Sequence, residues 1–304
     1  MTRRLLLAFL LITPMLQGCT TADPPDPIAA IAAGLPGEVG LFAKHLETGE
    51  TLQINADSRF PTASVIKVAV LAEAFRRAAE GTLSFDERIA VPSSVRVGGA
   101  GILGELDDGV ELTLGDLTRL MIVLSDNSAT NVLVERLGAA RINETMRGLG
   151  LEQTRIFRPT FRDGRPDVDP ELEREFGLGM STPREMATLM ERIVLGEAVS
   201  AGASGEMRAI LNRQQDRLMI PRRLPAGVRV GNKTGTDQEK QPDTSGRRGH
   251  IRNDVAIVDT PAGVYVLAIF IRRIHDPSWT PDNAALLTGA DLSRAVYDHF
   301  TRGQ

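Results

Sequence analysis

The sequence predicts an α/β fold of the α+β type, with an antiparallel five-stranded sheet flanked by helices and an inserted all-helical subdomain. Three observations indicate this fold. A strand pair opens the folded part of the chain, a block of amphipathic helices follows, and three more strands and a helix close it. Strands from the two ends of the sequence can share one sheet if the helices between them form an insertion.

The opening strand pair is predicted in the segment VGLFAKHLETGETLQINA, residues 39–56. Its apolar residues alternate on both sides of the turn residues Thr48 and Gly49, which is typical of a β-hairpin. A helix is predicted to begin in the next segment, FPTASVIKVAVLAEAF, residues 60–75, and to end with a C-cap at Gly81.

Three further helices follow in the middle of the chain. LTLGDLTRLMIVL begins with Thr113 and Asp116, whose spacing approximates a capping box. SATNVLVERLG ends at Gly138, and TPREMATLMERIVLG carries Pro183 in the first turn, where a helix tolerates proline.

The last part of the chain changes to the period of strands. GVRVGNKTG, NDVAIVDT and GVYVLAIFI are predicted strands, and a turn at Pro261–Gly263 joins the second to the third. PDNAALLTGADLSRAVYDHF is predicted as the closing helix. The sheet subdomain is therefore expected at about 28–60 and 205–304, and the helical subdomain at about 61–204.

Residues 1–19 have the features of a signal peptide. Arg3 and Arg4 precede an apolar stretch, Leu5–Ile12, that is too short to span a membrane. Residues 20–27, rich in Pro and Asp, are expected to form a short tether, and residues 28–304 the folded domain.

The end of this leader, LQGC over Leu16–Cys19, resembles the lipobox of bacterial lipoproteins, in which the cysteine becomes the lipidated first residue. Gln17 stands where a small residue is usual, and a plain signal peptide cleaved nearby is the alternative. Cys19 is the only cysteine, which excludes a disulfide or a Cys-based metal site in the folded domain. The resemblance implies an exported, periplasmic protein anchored to a membrane through Cys19.

Composition and charge argue against a nucleic-acid binder. The 304 residues are 42% hydrophobic and 24% charged, as in ordinary globular domains, and the formal net charge is -4. Nucleic-acid binders have a basic excess and often use aromatic platforms, whereas aromatic residues make up only 4% of this chain. The histidines lack metal-ligand spacing, so neither a metal nor another cofactor is expected.

Three short motifs carry the functional argument. Ser64 and Lys67 lie three residues apart in the first predicted helix, which puts a hydroxyl and an amine on one face. Ser125–Asn127 follows in the break between two predicted helices, and Lys233–Gly235 lies on a predicted strand. Taken alone, Lys67 could simply extend from a helix surface to water.

The order and spacing of these motifs, SxxK, SDN and KTG, resemble those of serine β-lactamases and penicillin-binding proteins. The segments from about Val39 to Phe300 are similar to class A β-lactamases, including RNDVAIV at Arg252–Val258. The resemblance implies a β-lactamase/transpeptidase-like fold. It also implies a serine hydrolase that opens the β-lactam ring, its small-molecule substrate, through an acyl-enzyme on Ser64.

This chemistry needs a base beside the nucleophile. A serine hydroxyl reacts poorly until a neighbour accepts its proton, and a lysine can accept it only when burial or nearby cations keep the amine neutral. The resemblance implies that Ser64 attacks the carbonyl, that Lys67 accepts or relays the proton, and that Ser125 passes a proton to the departing nitrogen.

The resemblance also implies substrate-binding roles for Asn127, Lys233, Thr234, Gly235, Thr236 and Arg252. Asn127 would bond the substrate amide, Lys233 and Thr234 would bind the carboxylate, and Gly235 would leave room beside the strand. The backbone N–H of Thr236 would line the oxyanion hole together with that of the nucleophile.

Three of these residues have a plainer interpretation. Asn127 could only cap the following helix, Thr234 could be an ordinary strand threonine, and Arg252 could be a surface charge. Asp126 is interpreted as structural.

The loop that should carry the second base departs from the family pattern. Class A enzymes have Glu-Pro-Glu-Leu-Asn there, and its first glutamate activates the water that hydrolyses the acyl-enzyme. This chain has DPELE, so that Asp169 falls at the base position and Glu173 at the Asn position. Asp reaches about 1.5 Å less than Glu. Either the loop compensates for this shorter reach, or Glu171 or Glu173 substitutes as the base, or deacylation is slow. The stretch could also be a solvated loop without a role.

A second departure is the segment DQEKQPDTSGRRGHI, Asp237–Ile251, which is longer than the turn usual after KTGT. It is polar and is expected to overhang the substrate site. It contains His250, and a Ser64–His250 dyad is an alternative that the lysine route makes unnecessary.

Three functions therefore remain open from the sequence. The first is a class A-type β-lactamase, and the second is a related acyl-serine enzyme such as a DD-peptidase or an esterase. The third is a binding module, either a penicillin sensor that deacylates slowly or a catalytically dead cell-wall binder, and the intact motif residues argue against the latter. In each case a monomer is expected.

Overall fold

The structure is a computed structural model that describes residues 26–302. The predicted signal peptide and Cys19 lie outside the described residues. Within the described part, none of the helices has the length and apolar character needed to cross a bilayer.

The predicted helices and strands occur in the predicted order, and the structure adds others. The helices are α1 (Pro27–Ala33), α2 (Lys67–Ala79), α3 (Leu114–Val123), α4 (Asn127–Leu137), α5 (Ala139–Gly148), α6 (Pro170–Phe176), α7 (Pro183–Leu195), α8 (Ala201–Leu211) and α9 (Ala284–Phe300). The strands are β1 (Glu38–His45), β2 (Thr51–Ile54), β3 (Phe60–Pro61), β4 (Arg88–Ala90), β5 (Glu111–Thr113), β6 (Arg155–Ile156), β7 (Gly179–Ser181), β8 (Arg229–Gln238), β9 (His250–Thr260) and β10 (Gly263–Ile274). Four of these helices, α1, α5, α6 and α8, and the short strands β3–β7 were not predicted.

The main sheet is antiparallel and five-stranded, with the order β2-β1-β10-β9-β8, which confirms the predicted fold class. The first and last parts of the chain meet where β1 pairs with β10, from Glu38 opposite Arg272 to His45 opposite Tyr265. The hairpin predicted around Gly49 is confirmed as β1 and β2. The helices between β3 and β8 are therefore an insertion between strands that share one sheet.

Two apolar cores lie on the two faces of this sheet. Along β10, Val266, Ala268 and Phe270 pack toward the helices between β3 and β8, whereas Leu267 and Ile269 pack toward α1 and α9. Both sets are fully buried because every second side chain of a strand points to the same face. Helix α2 runs through the helical core and is buried from its first residue to Phe75.

The segment that begins with Phe60 differs from the predicted helix. It starts as β3, which pairs with β7, and continues as a 3₁₀-helix at Ala63–Ile66 before α2 begins at Lys67. Ala63 has a φ of 46°, a left-handed conformation that an α-helix does not contain. The capping box of Thr113 and Asp116 at the start of α3 is confirmed.

The long segment after KTGT also differs from the prediction. Strand β8 continues through Gln238 and β9 begins at His250, so that the connection between them is residues 239–249. The polar side chains predicted as loop are partly ladder residues, because an exposed edge strand can carry polar side chains without losing its backbone hydrogen bonds.

A buried amide joins the sheet to the segment before Ser64. Asn253 on β9 donates from Nδ2 to the carbonyl oxygens of Pro61 (2.9 Å) and Thr62 (3.1 Å), and its Oδ1 accepts from the N–H of Ile271 (3.2 Å). The Asn253 side chain therefore helps to fix the position of the Ser64 turn relative to the sheet.

We expect Asn253→Ala to lower the free energy of unfolding by about 1–3 kcal/mol, because it removes three buried hydrogen bonds, although the Thr62 carbonyl oxygen still accepts from the Val65 N–H (3.1 Å). Urea titration measures the loss. The control is Gln215→Ala, which removes an exposed amide bonded only to the Arg213 carbonyl and should change stability little. Equal effects of the two substitutions would contradict the anchoring role of Asn253.

Candidate active site

Ser64 lies at the junction between the sheet and the helical subdomain. It is half-buried in the 3₁₀-turn, one residue after Ala63 and three before Lys67. Residues i and i+3 eclipse one another in a 3₁₀-helix, so the turn sets the hydroxyl and the lysine stem on one side. Within residues 26–302 no hydrogen bond joins Ser64 Oγ to Lys67 Nζ, so their proximity stays a prediction, and the turn that carries Ser64 is a 3₁₀-helix and not the predicted α-helix.

The Lys67 side chain is completely buried and ends among oxygen atoms. Its Nζ lies 2.7 Å from the carbonyl oxygen of Ser125, 3.2 Å from Ser125 Oγ and 2.9 Å from Asn127 Oδ1. Burial, and secondarily the nearby charge of Lys233, hold the pKa of Lys67 well below its usual range, while Asp126 opposes this shift. The amine can therefore be neutral near pH 7 and act as a base.

Ser125 lies in the break between α3 and α4 with a φ of 56°. This strained backbone conformation directs the side chain to a position between two amines. Its Oγ is 3.2 Å from Lys67 Nζ and 3.0 Å from Lys233 Nζ. We refer to Ser64, Lys67, Ser125 and Lys233 as the Ser–Lys cluster. The bridging hydroxyl can accept from one amine while it donates to the other.

Lys233 reaches the cluster from β8. It is buried, and its Nζ also donates to the Thr234 carbonyl oxygen (2.7 Å). Burial lowers its pKa to about 8, against the opposing charges of Asp216 and Asp254. With a pKa of about 8, Lys233 stays mostly protonated at neutral pH and is suited to binding an anion, whereas the lowered pKa of Lys67 favours its neutral form.

Gly235 is required by its contact with the turn that carries Ser64. A Cβ at this position would lie 2.5 Å from the Thr62 carbonyl oxygen and 3.1 Å from the backbone nitrogen of Val65. Any side chain at this position would push β8 away from the turn that carries Ser64. The KTG motif therefore has a packing reason for its glycine in addition to the predicted room for substrate.

The SDN triplet also fixes the rim of the site. Asp126 Oδ2 accepts from the backbone N–H groups of Ile102 and Leu103, both at 2.8 Å, and its Oδ1 caps α4. Asn127 Nδ2 donates to the Gly98 carbonyl oxygen (3.2 Å). Asp126 thus has the structural part that the sequence predicted, and Asn127 joins Lys67 to the rim.

The remaining predicted binding residues lie on two neighbouring strands. Thr234 and Thr236 belong to β8, and Arg252 belongs to β9. Arg252 pairs directly with Thr236 across β9 and β8. Its guanidinium is buried and donates to the carbonyl oxygens of Ile251 (2.9 Å) and Ser278 (3.0 Å). Arg252 is therefore not the surface charge of the plainer interpretation, and among the described residues it has no hydrogen bond to the Ser–Lys cluster.

The acidic residues of DPELE are not brought to the Ser–Lys cluster. Asp169 is exposed, and its carboxylate lies 3.1 Å from Nη1 of Arg155. Glu171 is exposed on α6, and Glu173 is buried in an ion pair with Arg158 (2.8 Å). Within residues 26–302 no hydrogen bond joins these three carboxylates to the cluster. For Asp169 the cause is its αL conformation, with φ 46°, and its bond to Arg155, which direct its carboxylate elsewhere.

Sequence reasoning missed Thr160, the loop residue that does contact the SDN segment. Thr160 Oγ1 donates toward the Asn127 carbonyl oxygen (3.2 Å) and lies 2.7 Å from Asn131 Oδ1. Its backbone N–H also donates to Asn131 Oδ1 (2.7 Å). The available signal was Asn131 itself, because it lies one helical turn after Asn127 and on the same face of α4.

Within residues 26–302 no hydrogen bond joins His250 to Ser64, so the structure does not support the alternative dyad. His250 begins β9 opposite Gln238, and burial lowers its pKa. Among residues 26–302, no group of three or more His, Cys, Asp or Glu side chains is arranged to hold a metal ion.

Comparison with known proteins finds one family across most of the chain. A family model described as the β-lactamase enzyme family matches residues 25–300. The β-lactamase FAR-1 of Nocardia farcinica is 28% identical over 272 residues, which cover 88% of this chain and 80% of that protein.

Solved structures show the same likeness. A β-lactamase from Sphaerobacter thermophilus is 32% identical with a TM-score of 0.76, covering 90% of this chain and 97% of its own. A protein named PBP-A is 28% identical with a TM-score of 0.75, covering 91% and 96%. A mutant of PBP-A, also similar to this chain, has been solved as an acyl-enzyme complex with penicillin G.

The two buried amines can be titrated separately because the chain has only four lysines. With ¹³Cε-labelled lysine, we expect NMR to show one amine that titrates at about pH 8, Lys233, and a second, Lys67, that titrates well below its usual range. Lys233→Met should raise the pKa of Lys67, because it removes a neighbouring positive charge. Lys240→Met, which removes a lysine of the 239–249 connection, is the control. An unchanged or lowered Lys67 pKa in Lys233→Met would contradict the coupling.

Proposed function

The chain belongs to the class A β-lactamase family, and on this premise we propose that it is a serine hydrolase that opens β-lactam rings through an acyl-enzyme on Ser64. The observation that carries the proposal is the Ser125 hydroxyl between two buried amines, 3.2 Å from Lys67 and 3.0 Å from Lys233. A proton entering at one of these groups can leave through another without crossing bulk water.

The acylation step follows from the protonation states in the cluster. Neutral Lys67 accepts the proton of Ser64 as Oγ attacks the β-lactam carbonyl carbon. The ring C–N bond then breaks, and the nitrogen takes the proton of the Ser125 hydroxyl, which Lys67 replaces. The products are a Ser64 ester and a ring-opened amine, and the cluster returns to its starting protonation state.

Substrate binding would use the charge that stays on Lys233. Its ammonium and the Thr234 hydroxyl would hold the substrate carboxylate, and Asn127, already fixed to Lys67 and the rim, would bond the substrate amide. The N–H groups of Ser64 and Thr236 would bind the developing oxyanion. Loss of one such donor costs about 3–4 kcal/mol of transition-state stabilisation in other enzymes.

Deacylation should be slow in this chain. Hydrolysis of the Ser64 ester needs a base for the attacking water, and Asp169 is held on the outer side of its loop by Arg155. Thr160, the loop residue beside Asn127, carries a hydroxyl that is itself hydrogen-bonded to Asn131, and a hydroxyl cannot take up a proton near pH 7. We therefore favour a long-lived acyl-enzyme over rapid turnover.

The Ser125 hydroxyl between two buried amines also supports a second candidate function, that of a DD-peptidase or a penicillin-binding sensor. Such a protein shares the acylation groups and differs in how its ester is released. The likeness to PBP-A supports this candidate.

Export and lipidation complete the proposal. The LQGC sequence supports a periplasmic protein anchored to a membrane by a lipid on Cys19. The acyl-enzyme would then form in the compartment that β-lactams reach first.

We expect penicillin G to add one acyl group to the protein, visible in the intact mass, and the adduct to persist for many minutes after free drug is removed. Peptide mapping should place it on Ser64, and Ser64→Ala should show no adduct. If the wild type shows neither an adduct nor ring opening, the proposed function is wrong. Rapid opening without a lasting adduct would favour a competent β-lactamase.

Asp169→Asn tests the role of the DPELE loop. We expect the lifetime of the penicillin adduct to change less than about twofold, because the Asp169 carboxylate bonds to Arg155 and not to the cluster. The decay of the adduct after removal of free drug measures this lifetime. A strong increase in adduct lifetime would show that Asp169 acts as the deacylating base, as the family pattern implies.

A further inference from the structure

Trp279 is an exposed aromatic residue beside the substrate strand with no part in the mechanism above. It is the only tryptophan of the chain, and 78% of its surface is exposed. Its ring lies over the guanidinium of Arg252, at 5.1 Å from the ring centroid. A single exposed apolar residue is common on protein surfaces, but this indole has a fixed cationic support.

The loop that carries Trp279 is held in place before any ligand binds. The Asn283 side chain donates to the Ser278 carbonyl oxygen (3.1 Å) and to the Asp276 carbonyl oxygen (3.3 Å). The Asp276 carboxylate accepts from the N–H groups of Ser278 (2.9 Å) and Ala284 (3.0 Å). A ring presented by such a loop loses little conformational entropy when a ligand stacks on it.

Arg252 links this ring to the active site. It pairs with Thr236, which follows the KTG motif directly, and directly paired residues of antiparallel strands have Cβ atoms about 5 Å apart. Trp279 therefore lies one cross-strand spacing and one stacking distance from the strand that would hold the substrate.

The contacts of Arg252 favour a role in supporting the Trp279 ring over direct binding of an anion. Only 2% of the residue is exposed, and its N–H groups already bond the Ile251 and Ser278 carbonyl oxygens. Bonding to Ser278 also fixes the residue before Trp279. A cation held in this way stabilises a ring placed over it.

We propose that Trp279, supported by Arg252, is a platform for a planar group attached next to the substrate carboxylate. This inference rests on the proposed function, in which the carboxylate lies at Lys233 and Thr234. In a cephalosporin the carbon beside the carboxylate-bearing carbon carries the variable ring substituent, so this substituent projects toward the platform. A planar heteroaromatic substituent can stack on the free face of the indole, whereas a methyl group cannot.

The first experiment compares two cephalosporins that share one acyl side chain. Cefadroxil carries a methyl group at the position in question, and cefatrizine carries a triazolylthiomethyl group. We expect Trp279→Ala to slow acylation of Ser64 by cefatrizine about 3- to 10-fold, as expected for loss of an aromatic stack, with a much smaller effect on cefadroxil. Equal effects on the two compounds, or none, would overturn the proposal.

Leu195→Ala is the matched control, because it removes another exposed apolar side chain at the last residue of α7. It should not change the ratio of the two acylation rates. Arg252→Ala should reproduce the Trp279→Ala result if Arg252 supports the ring. If Arg252 binds the carboxylate itself, it should slow both compounds equally, and that result would overturn its supporting role.

A second experiment does not depend on acylation. Ser64→Ala cannot form the ester but keeps Trp279 as its only fluorophore of this type. We expect cefatrizine to change the tryptophan fluorescence of Ser64→Ala at concentrations where cefadroxil does not. No change with either compound would overturn the platform even if wild-type acylation is normal. If the wild type is not acylated at all, the proposed function fails, and this titration still decides whether Trp279 binds the planar group.

Discussion

Two lysine amines buried beside one serine hydroxyl are the constraint on which the rest of this structure depends. Lys67 and Lys233 both lie within hydrogen-bond distance of Ser125 Oγ, at 3.2 and 3.0 Å. Two positive charges so close in a buried site would repel each other strongly. The cost is lowest when one amine gives up its proton, and the more deeply shifted amine is Lys67. The repulsion between the two amines therefore favours the neutral form of Lys67, which the proposed function requires of a base.

The scaffold must hold this unfavourable arrangement with groups from distant parts of the chain. Lys67 begins a buried helix, Ser125 occupies a strained interhelical break, and Lys233 comes from an edge strand. Asn253 and Gly235 keep the strand and the nucleophile turn in contact, one by hydrogen bonds and the other by the absence of a side chain. The packing of the sheet in two apolar cores stabilises the fold and offsets the cost of this strained arrangement.

The loops beside the cluster are ordered around one another and not around a catalytic carboxylate. Lys240 of the 239–249 connection pairs with Asp163 (3.2 Å), and Gln241 donates to the Arg174 carbonyl oxygen (2.9 Å). Arg158 is buried beneath them with Glu173. These two ion pairs and the Gln241 hydrogen bond hold the loop that carries DPELE, and Asp169 and Glu171 are exposed to solvent. The Ser–Lys cluster and the DPELE loop therefore have separate structural requirements, and the loop can depart from the family pattern while the cluster stays intact.

The sequence by itself determined the fold class, the hairpin, the capped helices and the three motifs, because each rests on local periodicity or on short fixed spacings such as that of Ser64 and Lys67. Only the tertiary structure decided which distant groups meet. Asp169 matched a family position by its place in the sequence, yet its αL backbone and Arg155 direct it away from the cluster, and Thr160, which no motif marked, lies beside Asn127. Arg252 matched a binding position, and the fold gave it carbonyl oxygens and an indole as partners. The reason is physical. Spacing along one helix or strand fixes which side chains are neighbours. The position of a loop side chain depends instead on its backbone conformation and on the partners that the surrounding packed elements place within reach.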